Sequence, residues 1–192
     1  MIRALYNWTL GLAQSPRAIW ALAFVAFIES SVFPIPPDIL MIPMIIAAPR
    51  KAFWIALVAT LASVSGGAFG YFIGSAFYES IGLPVLEFYG KTGEFAGFQQ
   101  RYNEYGAWAV LIAGVTPFPY KVITILSGAT GLSLPVFMAA SLVARALRFF
   151  LIAALLWKFG APIRDFIERR LGLMFTLAVA LLIGGFIAVR YL

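Results

Sequence analysis

Two interruptions of the same kind cut the apolar sequence of this chain, Pro34-Ile-Pro36-Pro37-Asp38 and Pro117-Phe-Pro119-Tyr120-Lys121. Each places Pro-x-Pro-x-charge where a bilayer-spanning helix would otherwise continue. Proline removes a backbone donor and collides with the preceding turn, so neither helix can run through its prolines undisturbed. A charge beside a broken helix at membrane depth marks a transport site more often than a stretch of scaffold. The membrane setting follows from composition. Hydrophobic residues make up 62% of the 192 residues and charged residues 11%, with a mean hydropathy of +0.94. Soluble domains carry about 25% charged residues.

Span lengths predict the path of the chain. The apolar run from Ala18 to Phe33 would cover roughly 24 Å as helix, short of the hydrocarbon core of about 30 Å. The run from Ile39 to Ala48 is shorter still and ends at Pro49-Arg50-Lys51. The pair is expected to enter, break at Pro34, Pro36 and Pro37, and return to the side it came from. A single proline-kinked span from Glu29 to Ala48 is the alternative; it would bury Asp38 in mid-span and require backbone repair at the prolines. Ala52 to Phe77 is long enough to cross. In it Ala62, Gly66, Gly70 and Gly74 recur every fourth residue, a flat stripe for close helix packing or for a lipid chain.

The pattern repeats downstream. Tyr105 to Thr116 is a short apolar run, Pro117 and Pro119 break it, and Val122 to Leu132 is a second short run. Val136 to Trp157 then crosses. A shift of 83 residues lays Pro34 on Pro117, Pro36 on Pro119 and Asp38 on Lys121. A returning hairpin plus one crossing helix ends opposite its start, so the second unit is expected to be inverted relative to the first. The expected fold is an all-α integral membrane protein: an inverted repeat of re-entrant helical hairpin plus transmembrane helix, with an additional C-terminal span. One membrane domain covers 1–192, divided into an interfacial N-terminal segment (1–17), a first repeat (18–77), an interfacial connector (78–104), a second repeat (105–157) and the final span (171–189). A cleaved leader is not expected, because Met1 to Leu12 lacks a small-residue cleavage box.

Charge gives an independent orientation. Arg3, Arg17, Arg50 and Lys51 flank the first hairpin, whereas the connector holds Glu79, Glu87, Glu94 and Glu104 against Lys91 and Arg101. Lys158, Arg164, Arg169 and Arg170 outnumber Asp165 and Glu168 after the second crossing helix. By the positive-inside rule the N-terminus is cytoplasmic and the connector external. The formal charge of +6 is scattered between apolar segments, so it reads as membrane flanks and not as a nucleic-acid surface.

Glu29 and Asp38 are the first candidate site residues, because a carboxylate at membrane depth is suited to proton coupling or gating. Asp38 is also placed to cap the following helix. Lys121, Arg145 and Arg148 are the candidates for headgroup binding or charge relay. Arg145 and Arg148 share a helical face, well inside a span. They either lock Glu29 and Asp38 in salt bridges or receive an anionic headgroup, for which the guanidinium fork is suited; the residues leave both open. With no histidine and no cysteine, thiol chemistry, disulfides and imidazole-rich zinc sites are excluded. A serine nucleophile would lack its usual base. Neither enzyme activity nor a cofactor or metal is expected.

The segment Phe27-Ile-Glu29-Ser-Ser-Val-Phe-Pro34-Ile-Pro36-Pro37-Asp38 resembles the first signature of the DedA family, also called the SNARE-associated Golgi or VTT family. Thr116-Pro-Phe-Pro-Tyr-Lys121, with Ser127-Gly128 and Gly131, resembles the second, as written in its YqaA-like branch. The resemblance runs from about Ala21 to Trp157. It implies re-entrant hairpins, lipid movement between leaflets of a bacterial cytoplasmic (inner) membrane, and coupling to a proton or sodium ion. The family's acidic positions fall on Glu29 and Asp38. Its second signature usually carries arginines where Thr116 and Lys121 stand here, a departure that weakens assignment of the best-known carrier lipid. The expected function is a flippase- or scramblase-like translocase for a phospholipid or polyprenyl-phosphate-type lipid. The alternatives are an ion-coupled transporter of a small solute and a noncatalytic assembly or scaffold protein, the latter using the glycine stripe as a seam of a homo-oligomer.

Overall fold

A computed structural model describes residues 17–33, 36–116, 118–160 and 162. The N-terminal interfacial segment up to residue 16, the tip prolines Pro34 and Pro117 and the expected final span at 171–189 lie outside the described residues. All regular structure among the described residues is helical. In chain order the helices are α1 (Ala18–Glu29), α2 (Asp38–Ala47), α3 (Ala52–Phe77), α4 (Leu83–Phe88), α5 (Thr92–Val115), α6 (Tyr120–Ala129) and α7 (Leu134–Gly160).

The first break falls earlier than the prolines alone predict. α1 ends at Glu29, and the Ser30 and Ser31 hydroxyls fold back toward the carbonyls of Ala26 and Phe27, each at 3.0 Å. Such local bonds compete with helix continuation, and the residue before a proline is itself pushed out of the α region. Pro37 then leads into α2 with φ −63°, pre-set for a helix start. α1 and α2 are therefore separate helices and not one kinked span. At 12 and 10 residues, each reaches at most about 18 Å, too short to cross.

α3 and α7 are the helices long and apolar enough to cross a membrane among the described residues. α3 continues without interruption through a π-helical turn, Tyr78–Gly82, into α4. α5 is one helix of 24 residues that runs straight through the drop in hydrophobicity near Glu104. Its first half lies in the polar connector and its second half is the apolar arm leading to the second break. The aromatics expected at the interface bind this region together: Tyr78 stacks on Phe95 at 5.0 Å, and Phe98 packs against Phe95 and Tyr102.

α3 is the strut on which the breaks are mounted. Of the contacts among α1 to α6, those of α3 with α6 and with α1 are the most extensive. Glycine makes this approach possible. A methyl group at Gly66 would collide with the Phe27 backbone, one at Gly74 with the Ile125 backbone, and one at Gly128 with the Tyr71 backbone. The stripe Gly66, Gly70, Gly74 is thus covered by this chain's own α1 and α6, while Ala62 is half-buried.

Two apolar cores result. In the first, Leu22 of α1, Met41 and Ile45 of α2 and Ala56 of α3 meet Phe149 and Ala153 of α7. The second joins Val110 of α5, Tyr120 and Ile123 of α6 and Phe137 and Ala140 of α7. α7 therefore belongs to the second core near its start and to the first core near its end. The stretch between carries Arg145 and Arg148.

Candidate functional site

The layer between the two cores is polar because both helix breaks end in it. Arg145 is almost fully buried and spends its donors on groups from two other helices. Its Nε donates to Ser63 Oγ of α3 at 2.6 Å, and Nη2 donates to Glu29 Oε2 at the end of α1 at 2.8 Å. The guanidinium lies 4.8 Å from the Tyr120 ring centroid and 4.6 Å from that of Phe149. A guanidinium is weakly hydrated and stacks on aromatic faces, which lowers the penalty of taking it out of water. Ser30 Oγ sits 2.7 Å from Ser63 Oγ and 3.1 Å from Glu29 Oε2, closing a ring of polar groups around the ion pair.

One turn further along α7, Arg148 reaches both breaks at once. Nη2 donates to Asp38 Oδ2 of the first break at 2.6 Å, and Nη1 donates to the Thr116 carbonyl of the second break at 2.9 Å. Asp38 stands in the first turn of α2, where a negative charge favours the helix dipole, but its side chain makes no capping hydrogen bond. The structure replaces the capping role with an ion pair to α7.

Two further contacts tie the breaks to each other directly. Lys121 Nζ donates to the Val32 carbonyl at 3.3 Å. Thr124 Oγ1 lies 3.0 Å from the Ser30 carbonyl and 2.9 Å from that of Lys121, and its one proton serves one of them at a time. The Ser30 and Val32 carbonyls lie past the end of α1 and would otherwise be left without a helical partner in an apolar medium. Thus Glu29, Asp38, Thr116, Lys121, Arg145 and Arg148, spread over more than half the chain, meet in one layer. Pro36 and Pro119 are exposed beside it and Pro37 is buried as the entry to α2.

Sequence reasoning missed Ser63, Tyr120 and Thr124. Ser63 had a visible signal: it stands three residues before Gly66 and seven before Gly70, on the face of the glycine stripe. Tyr120 and Thr124 carried none, because their roles depend on α6 docking against α3 and α7. Among the described residues there is no group of three or more side chains arranged to hold a metal ion.

A family model described as the VTT domain matches residues 35–158. An uncharacterized protein of Haemophilus influenzae is 36% identical over 169 residues, covering 85% of this chain and 87% of the relative. An uncharacterized protein of Histophilus somni is 36% identical over 168 residues with the same coverage. No solved structure matches.

Proposed function

The chain belongs to the VTT-domain family of membrane proteins, also called DedA or SNARE-associated Golgi, whose members are transporters and scramblases rather than catalytic enzymes; from that premise we propose that it is a lipid translocase. The observation that carries the reading is the meeting of two helix breaks in one charged layer between two apolar cores. In this reading each break is the tip of a re-entrant hairpin, the two units are inverted, and the tips approach from opposite faces of the bilayer. A phospholipid or polyprenyl-phosphate-type headgroup enters between the tips, where Lys121, Arg145 and Arg148 supply positive charge, while its chains stay in lipid. Asp38 takes Arg148 back when the headgroup leaves, and Glu29 and Asp38 carry the coupling proton if the cycle is driven.

The distribution of charge supports an orientation in a bacterial cytoplasmic membrane. Arg17 begins α1, Arg50 and Lys51 lie between α2 and α3, and Lys158 ends α7, all exposed at the ends of helices that share the first core. The acid-rich connector follows the far end of α3. By the positive-inside rule this distribution supports a cytoplasmic N-terminus. The scaffold reading loses its surface, because the stripe it would use as a seam between copies is filled from within.

Reconstitution tests the proposal. Purified protein in vesicles carrying headgroup-labelled phospholipids should speed leaflet exchange over protein-free vesicles, measured by quenching the outer-leaflet label. Unchanged exchange across headgroups, with and without a proton gradient, would overturn it. Solute uptake under the same conditions would point instead to a small-solute transporter.

A further inference from the structure

The two ion pairs of the charged layer sit side by side, yet they are built differently. Glu29–Arg145 is the more enclosed. Its side chains are 14% and 3% exposed, Ser63 accepts from Arg145, Ser30 Oγ lies 3.1 Å from Glu29 Oε2, and two aromatic rings flank the guanidinium. Asp38–Arg148 is open. Its side chains are 19% and 20% exposed, and although one contact joins each pair, here Asp38 Oδ1 and Arg148 Nε, both buried as atoms, have no partner. An arginine and a carboxylate can share two parallel hydrogen bonds. Here they share one, and a donor of Arg148 and an acceptor of Asp38 stay without partners. Buried polar atoms without partners are rare, and each calls for an explanation.

We propose that the two arginines have separate jobs: Arg148 is the group that receives the lipid's phosphate, Asp38 is its built-in competitor, and Arg145 is a positioning residue that never releases Glu29. The inference rests on the lipid reading and assigns the work within its site. In the empty state the Asp38 carboxylate occupies the place of one phosphate oxygen on Arg148. An arriving phosphate takes Nη2 and the unused Nε as a fork, and Asp38 swings away. Lys121 stands ready at the same junction, held only by one long bond to the Val32 carbonyl at 3.3 Å. Thr116, whose carbonyl receives Nη1, keeps Arg148 aimed at the junction throughout the exchange. Arg145 cannot take part, because moving it would strip partners from Ser63 and Glu29 and break open the contact between the cores.

An equilibrium binding measurement tests this apart from transport. The full chain in detergent micelles is titrated with a short-chain phosphatidic acid and, separately, with inorganic phosphate, by calorimetry. Removing the competitor with Asp38→Asn should tighten phosphatidate binding, by about tenfold if the closed pair is populated nine times in ten. Arg148→Gln should abolish binding, and Arg148→Lys should recover part of it without the fork. Ser63→Ala, which loosens the support of Arg145, should lower the thermal midpoint while leaving the affinity within about twofold, a split a shared headgroup role would not give. Unchanged or weaker binding in Asp38→Asn overturns the competitor. Wild-type affinity in Arg148→Gln, or affinity lost in a folded Ser63→Ala, overturns the division of labour. Inorganic phosphate bound as tightly as phosphatidate overturns the lipid as its source. Because binding is read without leaflet exchange, a failure of the translocase reading would show in the vesicles alone.

Discussion

The two long helices meet the breaks with opposite chemistry. α3 presents Gly66, Gly70 and Gly74, and the backbones of α1 and α6 come into direct contact with it. α7 presents Arg145 and Arg148, which reach Glu29 at the end of α1, Asp38 at the start of α2 and the Thr116 carbonyl after α5. Under the 83-residue shift that aligns the prolines, Arg145 falls on Ala62 and Arg148 on Ser65. The proline spacing therefore recurs without the charges of α7. One helix fixes the breaks by removing side chains; the other supplies long cations that pair with Glu29 and Asp38. A helix of the first kind suits a fixed support, and one of the second kind can also carry a contact that is remade, as proposed for Arg148.

If this contrast holds, removing one partner of the closed pair has the largest effect. Arg145→Met leaves Glu29 buried without its cation and should cost about 3–5 kcal/mol in a reversible unfolding measurement. The double variant Glu29→Met with Arg145→Met should recover much of that loss, since a buried pair replaced whole is often near neutral. A double variant as unstable as the sum of the singles would show that the two residues do not act as a pair. On the α3 side, Gly74→Val forces a side chain into the Ile125 backbone and should cost about 1–3 kcal/mol or more by overpacking. A tolerated valine there would mean that α6 does not lie on α3 as described.

Smaller effects sharpen the same comparison. Under the coupled model, Glu29→Gln and Asp38→Asn should remove the dependence of leaflet exchange on a proton gradient; retained dependence in both variants would exclude these carboxylates as the coupling groups. Smallest of all is the exposed Lys91–Glu94 pair in the connector, with side chains 54% and 71% exposed. Glu94→Gln should shift stability by less than about 1 kcal/mol, as solvent-screened pairs do. A larger shift would bring the connector into the supporting structure.

How far the sequence reached depended on the range of the interactions involved. The prolines, the short helices of the first break and the two long apolar helices are local properties, and span length with hydropathy was enough to locate them. The end of α1 at Glu29 instead of Phe33 is also local, but it is set by the Ser30 and Ser31 hydroxyls, which a hydropathy reading ignores. The unbroken course of α5 through Glu104 escaped for a related reason: hydrophobicity falls there while the backbone remains helical. Within the site, the charged residues stood out because charge is rare at membrane depth. Their pairing was not legible. Sequence left Arg145 and Arg148 divided between carboxylates and headgroup, and the choice of Glu29 for one and Asp38 for the other is fixed by how α7 crosses from the second core to the first. Ser63 and Thr124 look like ordinary packing residues until those helices are docked.

The central claim is that the junction of the two breaks must open for a lipid to pass. The chain has no cysteine, so a Val32→Cys and Lys121→Cys pair can be joined by a short, reducible bis-thiol linker across the point where Lys121 meets the Val32 carbonyl. Leaflet exchange of a headgroup-labelled phospholipid is then followed in vesicles before joining, after joining and after reduction. The account predicts that exchange stops when the breaks are joined and returns when the linker is cleaved. Exchange that continues at the same rate with the breaks joined would contradict it.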